Sequence, residues 1–397
     1  MEMKKYRILP LCALLSLIFA SCREDYVVIP PEETVVDEGD PEASIVGFYL
    51  LNEGNMGTNK ASLDYYDYTN GVYSANIFPS RNPNVTKELG DVGNDLQIYG
   101  GRLYAVINCS NLVEVMTADS AKHIGMVDIP NCRYVAFYKD KAYVSSYAGP
   151  VEIGNMQLGY VAEIDTATLS VTRRCTVGYN PEQMVVLDGS KTPDGKPKLY
   201  VANSGGYIPP DYDNTVSVID LESFTEEKKI TVAKNIHRMQ ADGYGDIYIT
   251  SRGDYYEDKS NLYCLDPRSG TVKKTFDIPA TNICIDGDSL YIAAWETDNF
   301  SGEQKISYAI VDVSDEKVVS TSLIKDATTI NIPYCIAVNP DTKEFIITDA
   351  GDYVSPGVLY YFNADGTLKW KLPAGDVPGP GDVPGHIVFF CRIKNAD

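Results

Sequence analysis

Basic residues, tryptophan and histidine are all scarce in this sequence. Its 397 residues include 34 Lys and Arg against 55 Asp and Glu, which gives a formal net charge of −21, and only 2 Trp and 3 His. A surface that follows nucleic-acid phosphates needs clustered Lys and Arg, so this balance argues against a nucleic-acid partner. The histidines, His123, His237 and His386, stand far apart, and no GxSxG, HExxH or Ser/His/Asp cluster is present. We therefore expect a non-enzymatic protein.

Cysteine pairs with the spacing of a zinc site are also missing. Two of the 9 cysteines fall within the first 22 residues, and the others stand singly, mostly in apolar runs such as TNICIDG. We expect buried free thiols and no metal site, with a Cys109–Cys132 disulfide as the alternative. Asp254, Glu257 and Asp258 could hold a cation, but an acidic, solvent-exposed loop is the simpler interpretation.

Residues 1–21 have the composition of a lipoprotein signal peptide. Three basic residues precede an apolar stretch that is too short to span a bilayer. The stretch ends in Phe-Ala-Ser-Cys, which resembles a bacterial lipobox and implies cleavage before Cys22 and acylation of that residue. An ordinary secretory signal with a chance cysteine is the alternative.

The residues after Cys22 indicate where the protein resides. They begin Arg-Glu-Asp, an acidic run that resembles the surface-export signal of Bacteroidetes lipoproteins. We therefore expect a protein that is lipid-anchored in the outer membrane and faces the cell exterior. Residues 22–44 are acidic and contain Pro, so we expect them to form a solvated tether in front of one domain, residues 45–397.

Short β-branched and aromatic runs, bounded by Gly, Asn, Asp or Pro, recur along residues 45–397. One run in each repeat has the pattern of a second strand within a four-stranded unit. The central residues of these runs, spaced by roughly 50 positions, are Tyr49, Tyr104, Tyr143, Tyr200, Tyr248, Tyr291 and Ile346. This period predicts an all-β fold, a seven-bladed β-propeller of four-stranded antiparallel blades.

The two ends of the repeat array complement each other. Tyr49 has no strand before it, whereas residues 384–393, PGHIVFFCRI, form a strand left over after the last outer hairpin. We expect residues 386–391 to pair with residues 48–52, which closes the ring within one blade and removes the free sheet edges. A six-bladed ring with an unpaired end is the competing count, but it leaves two apolar strands unused.

The loops that join second to third strands are mostly longer than a hairpin needs. They cover residues 52–60, 108–111, 146–157, 203–214, 251–261, 295–305 and 349–357. In a propeller these loops gather on one face with the fourth-to-first loops, among them the KNIHR segment that contains His237 and the duplicated GDVPGPGDVPG of residues 375–385. Loops of extra length on one rim are where binding residues usually lie.

The long loops are rich in aromatic residues separated by Asn, Asp and Gly. Flat aromatic faces with amide and carboxylate groups between them suit a large uncharged ligand with many polar substituents. For any single aromatic residue, packing against another loop is the alternative. The aromatic candidates are Tyr147, Tyr207, Tyr212, Tyr255, Tyr256, Trp295, Phe300 and Tyr353, of which all but Phe300 are selected for the binding site. The polar candidates for the same site are Asn55, Asn180, Asn203 and Arg252.

The motifs NPEQMVV, KLYVANSGG and DYDNTVSVIDLESF resemble the YVTN/YncE-like propellers. Together with NEGNMGTNKASLDYYD, LGDVGNDLQIYGGRLY and the lipobox, they make nearly the whole mature chain similar to the BtuG-type surface lipoproteins of gut Bacteroidetes. That resemblance implies high-affinity capture of a corrinoid such as cobalamin (vitamin B12). It also implies delivery to a TonB-dependent outer-membrane transporter of the BtuB type. The corrinoid is then a ligand, and no cofactor is expected.

Two other functional classes stay open at this point. Aromatic platforms also stack on sugar rings, so a glycan-binding surface lipoprotein of a polysaccharide-uptake system is the main alternative. A propeller enzyme such as a lactonase or lyase is the third class, because a propeller can gather metal ligands from separate blades.

Overall fold

The chain folds into seven antiparallel sheets that stand as blades around a common axis. The computed structural model describes residues 30–85, 88–150, 152–154, 157–297, 302, 304–375 and 382–391. Each blade has four strands in the order of a meander, to which the first blade adds a fifth at its outer edge, and the seven innermost strands contact one another in a ring. The seven residues expected at the centres of second strands all lie there, so the predicted seven-bladed propeller is confirmed.

The strands follow the sequence repeats. The first blade contains β1 (Glu32–Val35), β2 (Ile45–Asn52), β3 (Ser62–Asp67) and β4 (Val72–Ala75), followed by the short helix α1 (Ile77–Arg81). The second contains β5 (Gly93–Tyr99), β6 (Arg102–Ile107), β7 (Leu112–Thr117) and β8 (His123–Asp128). The third contains β9 (Cys132–Tyr138), β10 (Lys141–Ser146), β11 (Leu158–Asp165) and β12 (Ser170–Tyr179). The fourth contains β13 (Pro181–Leu187), β14 (Lys198–Asn203), β15 (Thr215–Asp220) and β16 (Thr225–Thr231).

The remaining three blades have the same plan. The fifth contains β17 (Ile236–Ala241), β18 (Ile247–Ser251), β19 (Asn261–Asp266) and β20 (Thr271–Thr275). The sixth contains β21 (Asn282–Asp286), β22 (Ser289–Thr297), β23 (Gln304–Asp312) and β24 (Lys317–Ser320). The seventh contains β25 (Pro333–Val338), β26 (Phe345–Asp349), β27 (Val358–Phe362) and β28 (Leu368–Pro373), after which β29 (Pro384–Cys391) returns to the first blade.

The ring is closed by both ends of the domain. Strand β29 is the innermost strand of the first blade and pairs antiparallel with β2, with His386 opposite Leu51 and Phe389 opposite Phe48. The predicted pairing of residues 386–391 with residues 48–52 is therefore confirmed. A hydrogen-bonded closure leaves no inner sheet edge open between the first and last repeats.

The hydrophobic core is divided among the interfaces between blades. Each of the seven interfaces has its own cluster of buried apolar side chains, contributed by the facing sheets. At the closing interface, Phe48 and Leu50 of the first blade pack against Ile346 and Tyr361 of the seventh. Full burial of one such side chain contributes about 1.5–3 kcal/mol, so the ring is stabilised at every interface.

Tyrosines of the second strands connect neighbouring blades. The Tyr49 hydroxyl donates to the carbonyl oxygen of Ala118 (3.0 Å), and the Tyr248 hydroxyl donates to that of Val313 (3.3 Å). Each acceptor lies beyond the third strand of the next blade. Tyr49 and Tyr248 are therefore buried between blades, and each hydroxyl has a partner in the neighbouring blade.

Part of the expected tether is a strand. Glu32 pairs with Ala75 and Val35 pairs with Val72, so β1 adds a fifth, outermost strand to the first blade. All four residues of β1 are exposed, so backbone pairing rather than burial holds the strand. The structure differs here from the solvated tether expected for residues 22–44, because the free edge of β4 offers unpaired hydrogen-bonding groups to the chain beside it.

The signal peptide and Cys22 lie outside the described residues. Within the described ranges, no helix combines the length and apolar composition that crossing a bilayer requires. The cysteines of the described ranges all have free thiols, including Cys109 and Cys132.

Candidate functional site

The innermost strands of several blades begin with polar residues before they become apolar. In six of the seven blades, the pairing of this strand with the second strand shifts register near its beginning. Such bulges redirect side chains out of strict alternation. Consecutive residues therefore face the same space, as Arg133 and Tyr134 do in β9 and as His237 and Arg238 do in β17.

Glu182 of β13 is the centre of one hydrogen-bond network. Its side chain is 2% exposed, and its Oε2 accepts hydrogen bonds from Nε (3.2 Å) and Nη2 (3.1 Å) of Arg133. Its Oε1 accepts a hydrogen bond from the Tyr147 hydroxyl. Burial alone lowers the pKa of Arg133, but the Glu182 carboxylate and the nearby Tyr147, Tyr134 and Tyr207 together more than offset this, so the pKa lies well above its usual value. The result is a buried, hydrogen-bonded ion pair between the third and fourth blades.

His237 connects this pair to two further arginines. Arg252 Nη2 donates to His237 Nε2 (3.1 Å), and the Tyr134 hydroxyl lies 2.9 Å from the same nitrogen. Arg238 Nη1 donates in turn to the Tyr134 hydroxyl (3.0 Å). Since Nε2 accepts from an arginine, the imidazole has its proton on Nδ1. Burial first, and then the nearby guanidinium groups, lower the pKa of His237 well below its usual value, so the ring is neutral at neutral pH.

These groups form the floor of a cavity of about 910 Å³. Its walls come from long second-to-third loops and from the starts of innermost strands, so both kinds of element meet on one face of the ring. The aromatic residues of the wall are Tyr207, Tyr255, Trp295, Tyr334 and Tyr353, and the amide residues are Asn94, Asn108 and Asn282. A floor of charged and amide groups below aromatic walls can bind a bulky ligand that has both apolar and polar surfaces.

A sequence-family comparison agrees with this architecture. A family model described as a domain of unknown function (DUF5074) matches residues 46–376, which is most of the propeller. The chain belongs to the DUF5074 family. No curated protein matches it.

Solved structures share the fold of this DUF5074 propeller at low sequence identity. A quinonprotein alcohol dehydrogenase-like protein of Bacteroides thetaiotaomicron has a TM-score of 0.59 at 12% identity, covering 87% of this chain and 78% of that one. A functionally unknown protein of Desulfotomaculum acetoxidans has a TM-score of 0.57 at 9% identity, covering 87% and 99%. Hydrazine synthase of Kuenenia stuttgartiensis has a TM-score of 0.54 at 17% identity, covering 69% and 77%. Similarity at this level establishes the fold alone.

The DUF5074 structure brings five of the predicted site residues to the cavity. Tyr207, Tyr255, Trp295, Tyr353 and Arg252 all line it, although they come from four different blades. Tyr255 is 46% exposed, whereas the other four are partly buried. Trp295 and Tyr353 pack on a small apolar cluster below the loops. Packing of this kind fixes the positions of the two rings before any ligand arrives.

Four other predicted residues support the cavity from behind. Tyr147 is buried, holds Glu182 and makes an edge contact with the Tyr207 ring, with centroids 6.0 Å apart. Asn180 accepts a hydrogen bond from the Tyr207 backbone N–H through its side-chain oxygen (3.2 Å). Asn55 donates to the carbonyl oxygen of Tyr353 (3.0 Å), which joins two loops.

Asn203 is the fourth of these supporting residues. It is fully buried, and its amide group bonds to Gly178 of the third blade and to Thr215 and Ser217 of its own blade. The structure therefore gives Asn203 a structural position and not a place in the cavity wall.

Tyr212 and Tyr256 lie beside the cavity and are not part of its wall. Tyr212 is partly buried and close enough to Tyr255 and Tyr256 for their charged forms to raise its pKa, although burial is the larger cause. Tyr256 is 59% exposed. Phe300 and residues 376–381 of the duplicated segment lie outside the described residues.

Two of the three acidic residues considered for a cation, Asp254 and Asp258, have protein partners for their side chains. Asp254 Oδ1 accepts the backbone N–H groups of residues 256–258, and Lys234 pairs with Asp254 (3.3 Å) and Asp258 (2.6 Å). Among the described residues, the carboxylates close enough to share an ion are those of Asp194, Asp220 and Glu227. The Lys198 ammonium lies within 2.9 Å of all three, so a protein cation already occupies the position between them.

Sequence reasoning did not select most of the cavity floor. Arg133, Tyr134, Glu182 and Arg238 lie in strands, and the segment of His237, expected in a loop, also belongs to a strand, β17. In the sequence, polar residues at the start of an apolar strand look like the end of a loop, because the β-bulge that redirects their side chains is visible only in the structure. The signal that could have identified these residues is the recurrence of CRYV, PEQM and IHRM at equivalent positions of successive repeats.

Proposed function

We propose that this protein captures a corrinoid, cobalamin or a close relative, at the cell surface and performs no catalysis. The observation that supports this best is the single cavity of about 910 Å³ in which Tyr207, Tyr255 and Trp295 stand together above amide and guanidinium groups. A corrin is broad, with apolar faces and a rim of amide side chains. Aromatic rings complement its faces, and Asn, Tyr and Arg side chains complement the amides.

The rigidity of the site favours tight binding. The cavity floor belongs to innermost strands that are paired with their own blades and contact the neighbouring innermost strands. The wall tyrosines Tyr334 and Tyr353 meet edge to face, with ring centroids 5.9 Å apart. A site that is already ordered loses little conformational entropy when a ligand binds, and this loss is a main cost of association.

Delivery and anchoring complete the proposal. The signal sequence and Cys22 support a lipid anchor in the outer membrane that faces the cell exterior. A captured corrinoid then needs a route inward, and a TonB-dependent transporter of the BtuB type is the partner we propose. The cavity lies on a single face of the ring, so ligand uptake and ligand transfer would both involve this face.

Calorimetric titration with cyanocobalamin tests the proposal. The protein for this test is residues 22–397 with Cys22→Ser, called the soluble form below, which keeps every strand of the propeller. We expect saturable binding of one molecule per chain at micromolar protein. If cyanocobalamin produces no heat and causes no change in intrinsic Tyr and Trp fluorescence, the corrinoid proposal is wrong.

A glycan ligand is the second candidate. The exposed rings of Tyr255 and Tyr256 at the edge of the cavity favour it, because sugars stack on aromatic rings that solvent can reach. Affinity electrophoresis of the soluble form in gels that contain polysaccharides separates the two candidates. Retardation by a polysaccharide, without binding of cyanocobalamin, would replace the corrinoid with a glycan.

A further inference from the structure

The floor of the cavity has three arginines, of which one is paired with a carboxylate. Arg133 is paired with Glu182. Arg238 and Arg252 line the same cavity, and among the described residues neither has a carboxylate oxygen within the 4.0 Å of an ion pair. Both belong to the fifth blade, Arg238 on β17 and Arg252 just after β18. In a chain whose formal net charge is −21, two such guanidinium groups at the bottom of one cavity need a physical reason.

The donors of these arginines are only partly used. Within the described part of the chain, Arg238 donates one side-chain hydrogen bond, to the Tyr134 hydroxyl, and Arg252 donates one, to His237 Nε2. A guanidinium has five N–H donors in a planar fork, a shape that matches carboxylate and phosphate oxygens. The bonds to Tyr134 and His237 fix the position of each group. They leave donors of both for a ligand.

Neutral His237 keeps the two arginines together. Its Nε2 accepts from Arg252 and approaches the hydroxyl that accepts from Arg238, so the imidazole acts as an uncharged link between two cations. The cavity wall has Asp258, Lys259, Glu296 and Lys305, two groups of each sign. The carboxylates beside the arginines are Glu182, which is paired with Arg133, and Glu53. Glu53 bonds to the Tyr334 hydroxyl (2.9 Å) and lies 3.6 Å from His386 Nε2. Neither carboxylate is within ion-pair distance of the fifth-blade arginines.

We propose that Arg238 and Arg252 form a subsite for an anionic group, a phosphate or a carboxylate, on the captured ligand. This inference deepens the proposed function, and for a corrinoid the group is the phosphodiester that links the nucleotide to the corrin. The subsite recognises this group by charge-assisted, two-pronged hydrogen bonds, while the aromatic wall above it binds the apolar part. A carboxylate of an acidic sugar would present the same chemistry to the same pair.

Two corrinoids, one with and one without the phosphodiester, separate this subsite from general corrinoid binding. Cyanocobalamin contains the phosphodiester, and dicyanocobinamide lacks the whole nucleotide. In titrations of the soluble form at fixed ionic strength, we expect Arg238→Gln to weaken cyanocobalamin binding by about ten-fold or more, because a charge-assisted hydrogen bond is lost. Dicyanocobinamide binding should change by less than about three-fold. Arg252→Gln, at the base of a surface loop, is the independent second variant.

The matched control is Arg268→Gln, which removes the same charge from the same blade. Arg268 pairs with Asp246 and Asp266 in the turn region at the opposite end of the blade. We expect no change in the affinity for either corrinoid. If Arg238→Gln and Arg252→Gln weaken both corrinoids equally, or weaken neither, the phosphate subsite is refuted while corrinoid capture stands.

Thermal unfolding in the presence of inorganic phosphate tests the subsite even if no corrinoid binds. Phosphate should raise the melting temperature of the soluble form by about 2 °C relative to chloride at equal ionic strength, and Arg238→Gln should remove this rise. If cyanocobalamin does not bind but phosphate still raises the melting temperature and Arg238→Gln removes this rise, corrinoid capture is rejected and the anion subsite is retained. Titrations with oligogalacturonate and with a neutral oligosaccharide then test for a carboxylate ligand, because only the first sugar has carboxylates. If phosphate gives no specific rise and cyanocobalamin shows no Arg238 dependence, the subsite is refuted.

Discussion

Replacing Glu182 with alanine should destabilise the whole ring. The side chain is 2% exposed and accepts two hydrogen bonds from Arg133, whose own side chain is 13% exposed, and one from the Tyr147 hydroxyl. Removing one partner of a buried ion pair costs about 3–5 kcal/mol, because the other charge remains buried. Arg133 lines the cavity, so water can reach part of the guanidinium. We therefore expect the lower end of this range, about 3 kcal/mol.

Urea denaturation of the soluble form, followed by tyrosine and tryptophan fluorescence, measures this loss as a change in the free energy of unfolding. Glu182→Gln is the matched control, since it keeps an acceptor oxygen for Tyr147 and removes only the charge, and its effect should be smaller. In the double variant with Arg133→Met, the buried cation is gone as well. The cost should then be at least about 1.5 kcal/mol less than the sum of the two single effects.

The outcome that refutes this reasoning is additivity. If Glu182→Ala costs less than about 1 kcal/mol, or if the double variant equals the sum of the single variants, the pair is not energetically coupled. Arg133 and Glu182 would then be solvated neighbours, and the description of the cavity floor as a rigid network would be wrong.

Three further predictions address other parts of the molecule. Trp295→Ala should weaken ligand binding in calorimetric titrations by about 2 kcal/mol or more, as loss of a central aromatic anchor does. Tyr244→Ala, on a turn of the opposite face, is the control and should have no effect. Unchanged affinity of the Trp295 variant would remove this residue from the site. Because the pKa of His237 lies well below its unfolded value near 6.5, the unfolded state binds more protons below that pH, and stability should fall as the solution is acidified. Between pH 7.5 and 5.5, thermal or urea unfolding should show wild-type protein losing about 1.4 kcal/mol more than His237→Gln, and parallel profiles would contradict the buried neutral imidazole. Asp37→Ala should speed proteolytic cleavage around residues 36–44 and change the melting temperature of the propeller little. The reason is that Asp37 fixes the segment after β1 by accepting a hydrogen bond from the Tyr66 hydroxyl (2.8 Å). A cleavage rate equal to that of the wild type would show that this contact is unimportant.

The fold was predictable because the same strand pattern recurs in every repeat. The apolar runs around Tyr104, Tyr200 and Tyr248 share a period, and sheet closure follows from a strand that is missing at one end and surplus at the other. These are local patterns with one regular spacing, so sequence reasoning detects them. The strand β1 was missed because nothing in the acidic segment that contains it indicates an outer sheet edge as its partner.

The candidate site was predictable only in part. Tyr207 stands in a long loop on the rim, whereas Trp295, expected in a loop, lies near the end of β22. The expected length of both loops alone indicated their face. The floor depends on contacts across the ring, such as that between Tyr134 and His237, which are 103 positions apart in the chain. No local pattern reports which blades face each other near the axis. Asn203 shows the opposite error. It was expected in a loop, but it ends β14, and its amide group is fully used by the third and fourth blades.

The outermost position of β1 has a mechanical consequence. A pull on the chain at residue 30 loads the ladder between β1 and β4 first, since β1 lies between the amino-terminal end and the rest of the propeller. Four residue pairs share that force. If they give way, the blade keeps its four remaining strands, and the force reaches β2 and its closing contact with β29 only after residues 36–44 are pulled taut. The fifth strand is thus the first element to yield, and it shields the closed ring until its four pairs are broken.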